Sequence, residues 1–260
     1  MTKRTEDSFL RLIKIVQKLR GENGCPWDKE QTHESLLPYF LEEAYEVIEG
    51  VEQGDMNSLK EELGDVLLHV IFQADIAKEN GEFSIQDSLN HINEKLVKRH
   101  PHVFGDKKAE AAFHAKQNWE SAKHKENNRE SRLDGVPNAL PALITSQRLQ
   151  EKASYAGFDW EKIDQVWEKI NEEIQELKDA ESEKNETHIE EEIGDVIFSF
   201  VNLARFLNVS AESALRKTNR KFTLRFKVIE NELKKLGKDI EDSNLIELEE
   251  LWNNAKNKDS

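Results

Sequence analysis

Four acidic residues in the second half of the chain have the spacing of a divalent-cation site. Glu173 and Glu176 stand at i and i+3, and Glu192 and Asp195 repeat that interval 19 residues on. On helices, each interval places both carboxylates on one face. The stretch from Asp179 to Glu190 would form a turn that lets the two helices pack antiparallel, so that all four acids converge. Crowded carboxylates repel and raise one another's pKa. A hard divalent cation relieves that repulsion, and Mg2+ takes oxygen ligands while keeping some waters. Lys221 and Arg225, one turn apart, add the paired cations that a triphosphate needs. Lys169 lies one turn before Glu173, and Trp252 with Lys256 supplies an aromatic plane and another cation.

The same constellation occurs earlier. Glu43, Glu46, Glu62 and Asp65 carry the same internal intervals, and 19 residues again separate the first acid of each pair. Asn93, Lys95 and Arg99 match Asn219, Lys221 and Arg225, and Trp119 to Lys123 matches Trp252 to Lys256. A single acidic pair on a helix is commonly just a solvated face. Recurrence of acids, cations and a mid-helix glycine together argues for a duplicated site. Gly64 and Gly194 fall between the acids of each second pair. Glycine costs roughly 1 kcal/mol inside a helix, so a close helix approach beside each site is expected.

The elements that must hold these groups read as amphipathic helices. Phe9, Leu12, Ile13, Val16 and Leu19 recur at helical spacing before a break from Gly21 to Pro26. Leu41, Tyr45 and Ile48 mark a second stripe, ending at Gly54-Asp55. Ser58 to Glu61 has the form of a capping box, and Ser84 opens a further helix that Pro101 stops. Phe198, Phe200, Phe206 and Phe222 are expected in the core; His33, His91 and His188 are expected at the surface or with local partners. The polar stretch 126–141, with Asp134-Gly135-Val136-Pro137 and Pro141, reads as a linker. It divides an N-terminal domain, residues 1–125, from a C-terminal domain, residues 142–260.

Composition narrows the function classes. Across 260 residues the chain is 37% hydrophobic and 34% charged, which suits helices with one apolar stripe and hints that a partner subunit completes the core. A net charge of −15 argues against a general nucleic-acid binder. With Cys25 as the only cysteine, no disulfide framework or cysteine-based zinc site forms within the chain. No apolar run approaches about 18 residues, and the first residues lack a signal-peptide pattern, so a cytoplasmic protein with no membrane span is expected. A di-iron carboxylate bundle requires Glu-x-x-His on two helices. Neither repeat has it: His69 follows Asp65 by one turn, and Ser199 replaces it in the second repeat. A non-enzymatic helical interaction module is the other alternative, and it would tolerate loss of acids or cations that neither repeat shows.

The pattern Glu-Glu-x-x-Glu followed by Glu-x-x-Asp resembles the MazG-type nucleoside triphosphate pyrophosphohydrolases. Gly24 to Asp28, Leu133 to Pro137 and Ala156 to Trp160 are similar to segments of the tandem-domain members. The resemblance implies an all-α fold of two tandem MazG-type domains forming four-helix-bundle units completed by dimerisation. It implies hydrolysis of NTPs or dNTPs to the monophosphate and pyrophosphate, with Mg2+ as cofactor and Mn2+ as a substitute. Metal-binding roles fall on Glu173, Glu176, Glu192 and Asp195, and nucleotide contacts on Lys169, Glu172, Glu191, Lys221, Arg225, Trp252 and Lys256. Catalysis falls on the four acids with Lys221 and Arg225. The resemblance also implies that the second repeat is the active one. The first keeps Glu43, Glu46, Glu62, Asp65, Lys95, Arg99, Trp119 and Lys123 as a second site. Pro101 cuts its basic helix short, and 20 residues rather than 27 separate its arginine from its tryptophan.

Overall fold

The computed structural model describes residues 3–105, 116, 119, 120, 123 and 130–258. It is all-α, with no strand among the described residues, and falls into two compact units, Met1–Ala115 and Lys116–Ser260. No single helix among the described residues is long and apolar enough to cross a membrane.

The first unit holds α1 (Lys3–Arg20), the short α2 (Pro26–Glu30), α3 (Leu37–Gln53), α4 (Met56–Glu79), α5 (Ile85–Arg99) and a single turn, α6 (Pro101–Phe104). Its centre is the α3–α4 hairpin, with α1 packed along α4. Val16 from α1 meets Leu36 and, from α4, Ile71, Phe72 and Ile76, with Phe9, Leu12 and Ile13 closing the edge. Buried Arg20 bonds to Glu79 Oε2 at 2.6 Å and to the Asp28 carbonyl at 2.5 Å, fixing the Gly24–Asp28 loop against α4. The second unit holds α7 (Ala142–Tyr155), α8 (Ile163–Glu183), α9 (Glu186–Phe206), α10 (Ala211–Lys235), a 3-10 turn at Ile240–Asp242, and α11 (Leu245–Lys258). Here α8 and α9 form the corresponding hairpin, with Val166, Ile170 and Leu203 at its core.

Each hairpin turn has only two residues. The first uses Gly54 at φ +71° and then Asp55, whose carboxylate accepts from the N–H groups of Asn57 and Ser58 at 2.9 and 3.1 Å. The second uses Lys184 at φ +56° and then Asn185, which accepts from His188 N–H at 3.3 Å. The broad turn expected between Asp179 and Glu190 is therefore helix on both sides of Lys184-Asn185, and α4 starts at Met56, ahead of the expected Ser58 box. Side-chain caps at Asp55 and Asn185 satisfy the first N–H groups so close to the bend that little loop is needed. The Ser84 cap is as expected: its hydroxyl accepts from Asp87 N–H, and the Asp87 carboxylate accepts from Ser84 N–H.

Two packing expectations are corrected. A Cβ at Gly64 or Gly194 would meet nothing within 4 Å, so no helix among the described residues approaches closely there. The close crossing is at Gly50 instead, where a Cβ would lie 3.0 Å from the Leu59 backbone nitrogen. Phe206 packs on the second core as expected. Phe198, Phe200 and Phe222 do not, being 42%, 45% and 55% exposed. Phe198 and Phe200 lie on α9, and Phe222 on α10 meets the Trp252 ring of α11 at 5.2 Å and, on its own helix, Phe226.

Candidate metal and phosphate site

In the second unit, the α8–α9 hairpin brings Glu173, Glu176 and Glu192 together, with one carboxylate oxygen of each within 4.8 Å of the others. Glu173 and Glu192 are only 6% and 8% exposed. Burial of two carboxylates needs compensation, and two basic side chains on the same helices provide part of it. Lys169 Nζ lies 2.6 Å from Glu172 Oε1 and 2.7 Å from Glu173 Oε1. Its hydrogen bonds to those two carboxylates hold the ammonium above the usual lysine range. His188 Nε2 lies 3.0 Å from Glu192 Oε1. Glu192 Oε2 is buried and has no hydrogen-bond partner. Burial, then the charges of Glu173 and Glu192, raises the Glu176 carboxyl above its ordinary value. Three convergent oxygen donors, one of them an orphan, fit a hard divalent cation. Asp195 follows Glu192 by one turn, is exposed and stands outside the converging three.

The first unit gathers Glu43, Glu62 and Asp65 in the same way, each half-buried. Burial, followed by the charges of Asp65 and Glu46, pushes the Glu43 carboxyl up to about 7. Glu62 is raised too, first by burial and then by Glu46. Glu46 sits beside this trio and lines, with Glu49, Asp55 and Glu62, a small acidic cavity of about 130 Å3. Neither converging trio counts a histidine among its members, His188 contacting Glu192 from outside, and neither hairpin carries the Glu-x-x-His that a di-iron bundle requires. His69 lies edge-on to Phe40, and Ser199 bonds to the Val196 carbonyl.

The cationic groups form a separate set. On α10, the Arg225 guanidinium lies over the Trp252 ring of α11 at 5.7 Å, and Phe222 packs on the same indole at 5.2 Å. Lys221 and Lys256 are exposed on these two helices, and Glu172 and Glu191 are exposed beside the buried acids. In the first unit Lys95 is half-buried and Arg99 is only 4% exposed. Trp119 and Lys123, read as part of the first repeat, fall in the second unit. Glu120 between them bonds to buried Lys152 at 3.1 Å and to Arg148 at 3.5 Å, both on α7. His188, expected at the surface or with a local partner, is partly exposed and pairs with Glu192. Its position four residues before Glu192 was the available signal, because i,i+4 side chains are neighbours on a helix.

Fold and site together define an all-α, tandem-repeat protein with carboxylates gathered at helical hairpins. The pattern described as the MazG nucleotide pyrophosphohydrolase domain matches twice, at residues 31–104 and 162–229. The chain belongs to this MazG family. It is 48% identical, over 96% of both chains, to the nucleoside triphosphate pyrophosphohydrolase/pyrophosphatase MazG of Thermotoga maritima. It is 42% identical to the nucleoside triphosphate pyrophosphohydrolase of Escherichia coli K12, over 95% of this chain and 96% of that one. A protein of Bacillus subtilis, YabN, is 45% identical over 95% of this chain, a match that spans 51% of YabN.

Proposed function

We propose that the chain hydrolyses nucleoside triphosphates to the monophosphate and pyrophosphate, using Glu173, Glu176, Glu192 and Asp195 to hold Mg2+, with Mn2+ as a substitute. The observation that carries this reading is the buried, unpartnered Glu192 Oε2 inside a three-carboxylate group. When bound, the cation neutralises the triphosphate and lowers the pKa of a coordinated water. Asp195 completes the donor set from its open side. A cluster carboxylate oxygen left over from ligation accepts the proton of the attacking water. Lys221 and Arg225 bind the phosphates and stabilise charge on the transferring phosphate and the pyrophosphate product. Trp252 offers a face for the nucleoside, and Lys169, Glu172, Glu191 and Lys256 contact the nucleotide around it.

A second copy of the chain completes this arrangement. Ile193, Ile197, Phe198 and Phe200 on α9 and Phe222 and Leu224 on α10 are all more than a third exposed, a large apolar area for one chain in water. A homodimer built through those faces forms four-helix units and brings cations to acids. The first repeat, in the unit Met1–Ala115, acts as a separate domain whose acids bind metal without turning substrate over. The acidic surface leaves no role for nucleic acid, and the cytoplasm, where these substrates reside, is the expected location.

The test is a pyrophosphate-release assay with ATP and dNTPs in Mg2+, repeated with EDTA and with Glu192→Ala. Metal-dependent pyrophosphate that Glu192→Ala abolishes supports the reading. Orthophosphate alone, or pyrophosphate that survives the substitution, defeats it.

A further inference from the structure

We propose that His188 is a positioning residue that sets which divalent cation the 173–192 site accepts. The inference rests on the metal-site reading above and concerns the ring's action through Glu192. An exposed histidine paired with a glutamate four residues on is ordinarily worth little, because water competes for both. Here the glutamate is buried, and its two oxygens have unequal surroundings. Oε1 faces His188 Nε2 at 3.0 Å, while Oε2 is buried without a partner. At that distance an Nε2–H, present in the neutral Nε2 tautomer and in the charged ring, can donate to Oε1. Glu192 is thereby turned so that one oxygen is left for a cation.

Glu173, the other buried acid, is treated alike: Lys169 Nζ takes its Oε1 at 2.7 Å. Each buried carboxylate therefore has one oxygen engaged by a basic side chain on its own helix. That favours ligation through a single oxygen from each. Mg2+ requires a near-octahedral shell with one-oxygen carboxylates and waters, whereas Ca2+ takes larger shells that often include two-oxygen carboxylates. Restraint of the carboxylates therefore selects Mg2+ over Ca2+. The first repeat has Tyr39 and Ser58 at the positions of Lys169 and His188, so its trio lacks both basic restraints.

The experiment uses the full chain carrying Glu43→Gln and Glu62→Gln, which leaves the second site as the one measured. Mn2+ binding is followed by electron paramagnetic resonance, with Mg2+ and Ca2+ as competitors. Removing a partner that orients a metal ligand commonly costs 10- to 100-fold in affinity, so His188→Ala should lower Mg2+ affinity by about tenfold or more. Ca2+ affinity should fall less, which narrows the Mg2+ preference. His188→Gln, whose amide can still donate, should recover most of the loss. Mg2+ affinity within about twofold of the parent in His188→Ala overturns the proposal while leaving the metal site standing. Equal losses for Mg2+ and Ca2+ overturn the selectivity. Mn2+ binding that is absent in the parent, or unchanged by Glu173→Ala, defeats the metal-site reading itself and the role of His188 with it.

Discussion

Both repeats gather three carboxylates at the corresponding hairpin, with Glu43 and Glu62 matching Glu173 and Glu192. The third acid is Asp65 in the first and Glu176 in the second, and the surroundings differ as well. In the second, Lys169 and His188 touch the buried acids, and Arg225 lies over Trp252 on a long α10. In the first, Tyr39 replaces the lysine and turns its ring edge-on to Trp27 at 6.1 Å. Its basic helix ends at Arg99, which is buried, and its tryptophan segment belongs to the other unit. A cluster of acids is thus the part of this machinery that duplication preserved most completely. The basic side chains beside it, and the arginine over a tryptophan on the long basic helix, are what distinguish the repeats. The comparison teaches that acids alone make a cation site, whereas turnover of a triphosphate needs counter-charges placed around them.

The largest test of that difference is removal of the acids one repeat at a time. Glu192→Ala or Asp195→Ala should lower pyrophosphate release by about a thousandfold, a loss typical of deleting a group that stabilises transition-state charge. Glu62→Ala with Asp65→Ala should cost no more than about threefold, since the first repeat presents few cations for the transition state. Comparable losses in both would show two working sites and break the comparison. The cations come next. Arg225→Ala should cost on the order of a hundredfold in kcat/KM. Arg99→Ala should leave kcat/KM close to wild type and instead lower Tm by about 5 °C, as removal of a buried, packed side chain does. A kinetic loss at Arg99 matching that at Arg225 would place the first repeat back among the catalysts.

Much of this was legible in the sequence because helical periodicity and repeat spacing are local, additive signals. The helices, the repeat and the convergence of Glu173, Glu176 and Glu192 all follow from intervals of three and nineteen residues. The two-residue turns were not legible as such. A lysine at positive φ, as at Lys184, is an uncommon choice that local preference does not announce. Gly64 and Gly194 were given the wrong reason, since the sequence shows a glycine's cost and not which neighbour it serves. Phe198, Phe200 and Phe222 were placed inside because aromatic residues usually are. The structure leaves them 42%, 45% and 55% exposed. Trp119 was assigned by its likeness to Trp252, but the Glu120–Lys152 pair, between residues distant in sequence, fixes its segment to the second unit.

A third, smaller test transplants the difference. Tyr39→Lys would place an ammonium one turn before Glu43, as Lys169 stands before Glu173. A nearby opposite charge lowers a carboxyl pKa by about one to three units. The Glu43 carboxyl, now at about 7, should therefore fall toward the ordinary range in a carbon-13 titration. A value that stays near 7 would mean that the two hairpins differ in more than this side chain.

The smallest effect is the pH dependence of the first hairpin's stability without metal. The folded Glu43 carboxyl titrates at about 7, above its ordinary value of 4.5, so the folded state binds the proton more tightly than the unfolded state does. Its stabilising contribution is then fully present below pH 4.5 and is lost as pH rises through 7. Between pH 6 and 8, protection of the α3 and α4 amides against hydrogen exchange, corrected for the intrinsic rate, should fall. Glu43→Gln should flatten that fall, because the amide needs no proton. Saturating Mg2+ should flatten it as well, because the cation takes over the neutralising role of the proton. The amides of α8 and α9 provide the contrast: there Lys169 and His188 already contact the buried acids, so added Mg2+ should change their pH dependence less. An equal response in the two hairpins would show that the basic partners of the second repeat do not carry the difference assigned to them.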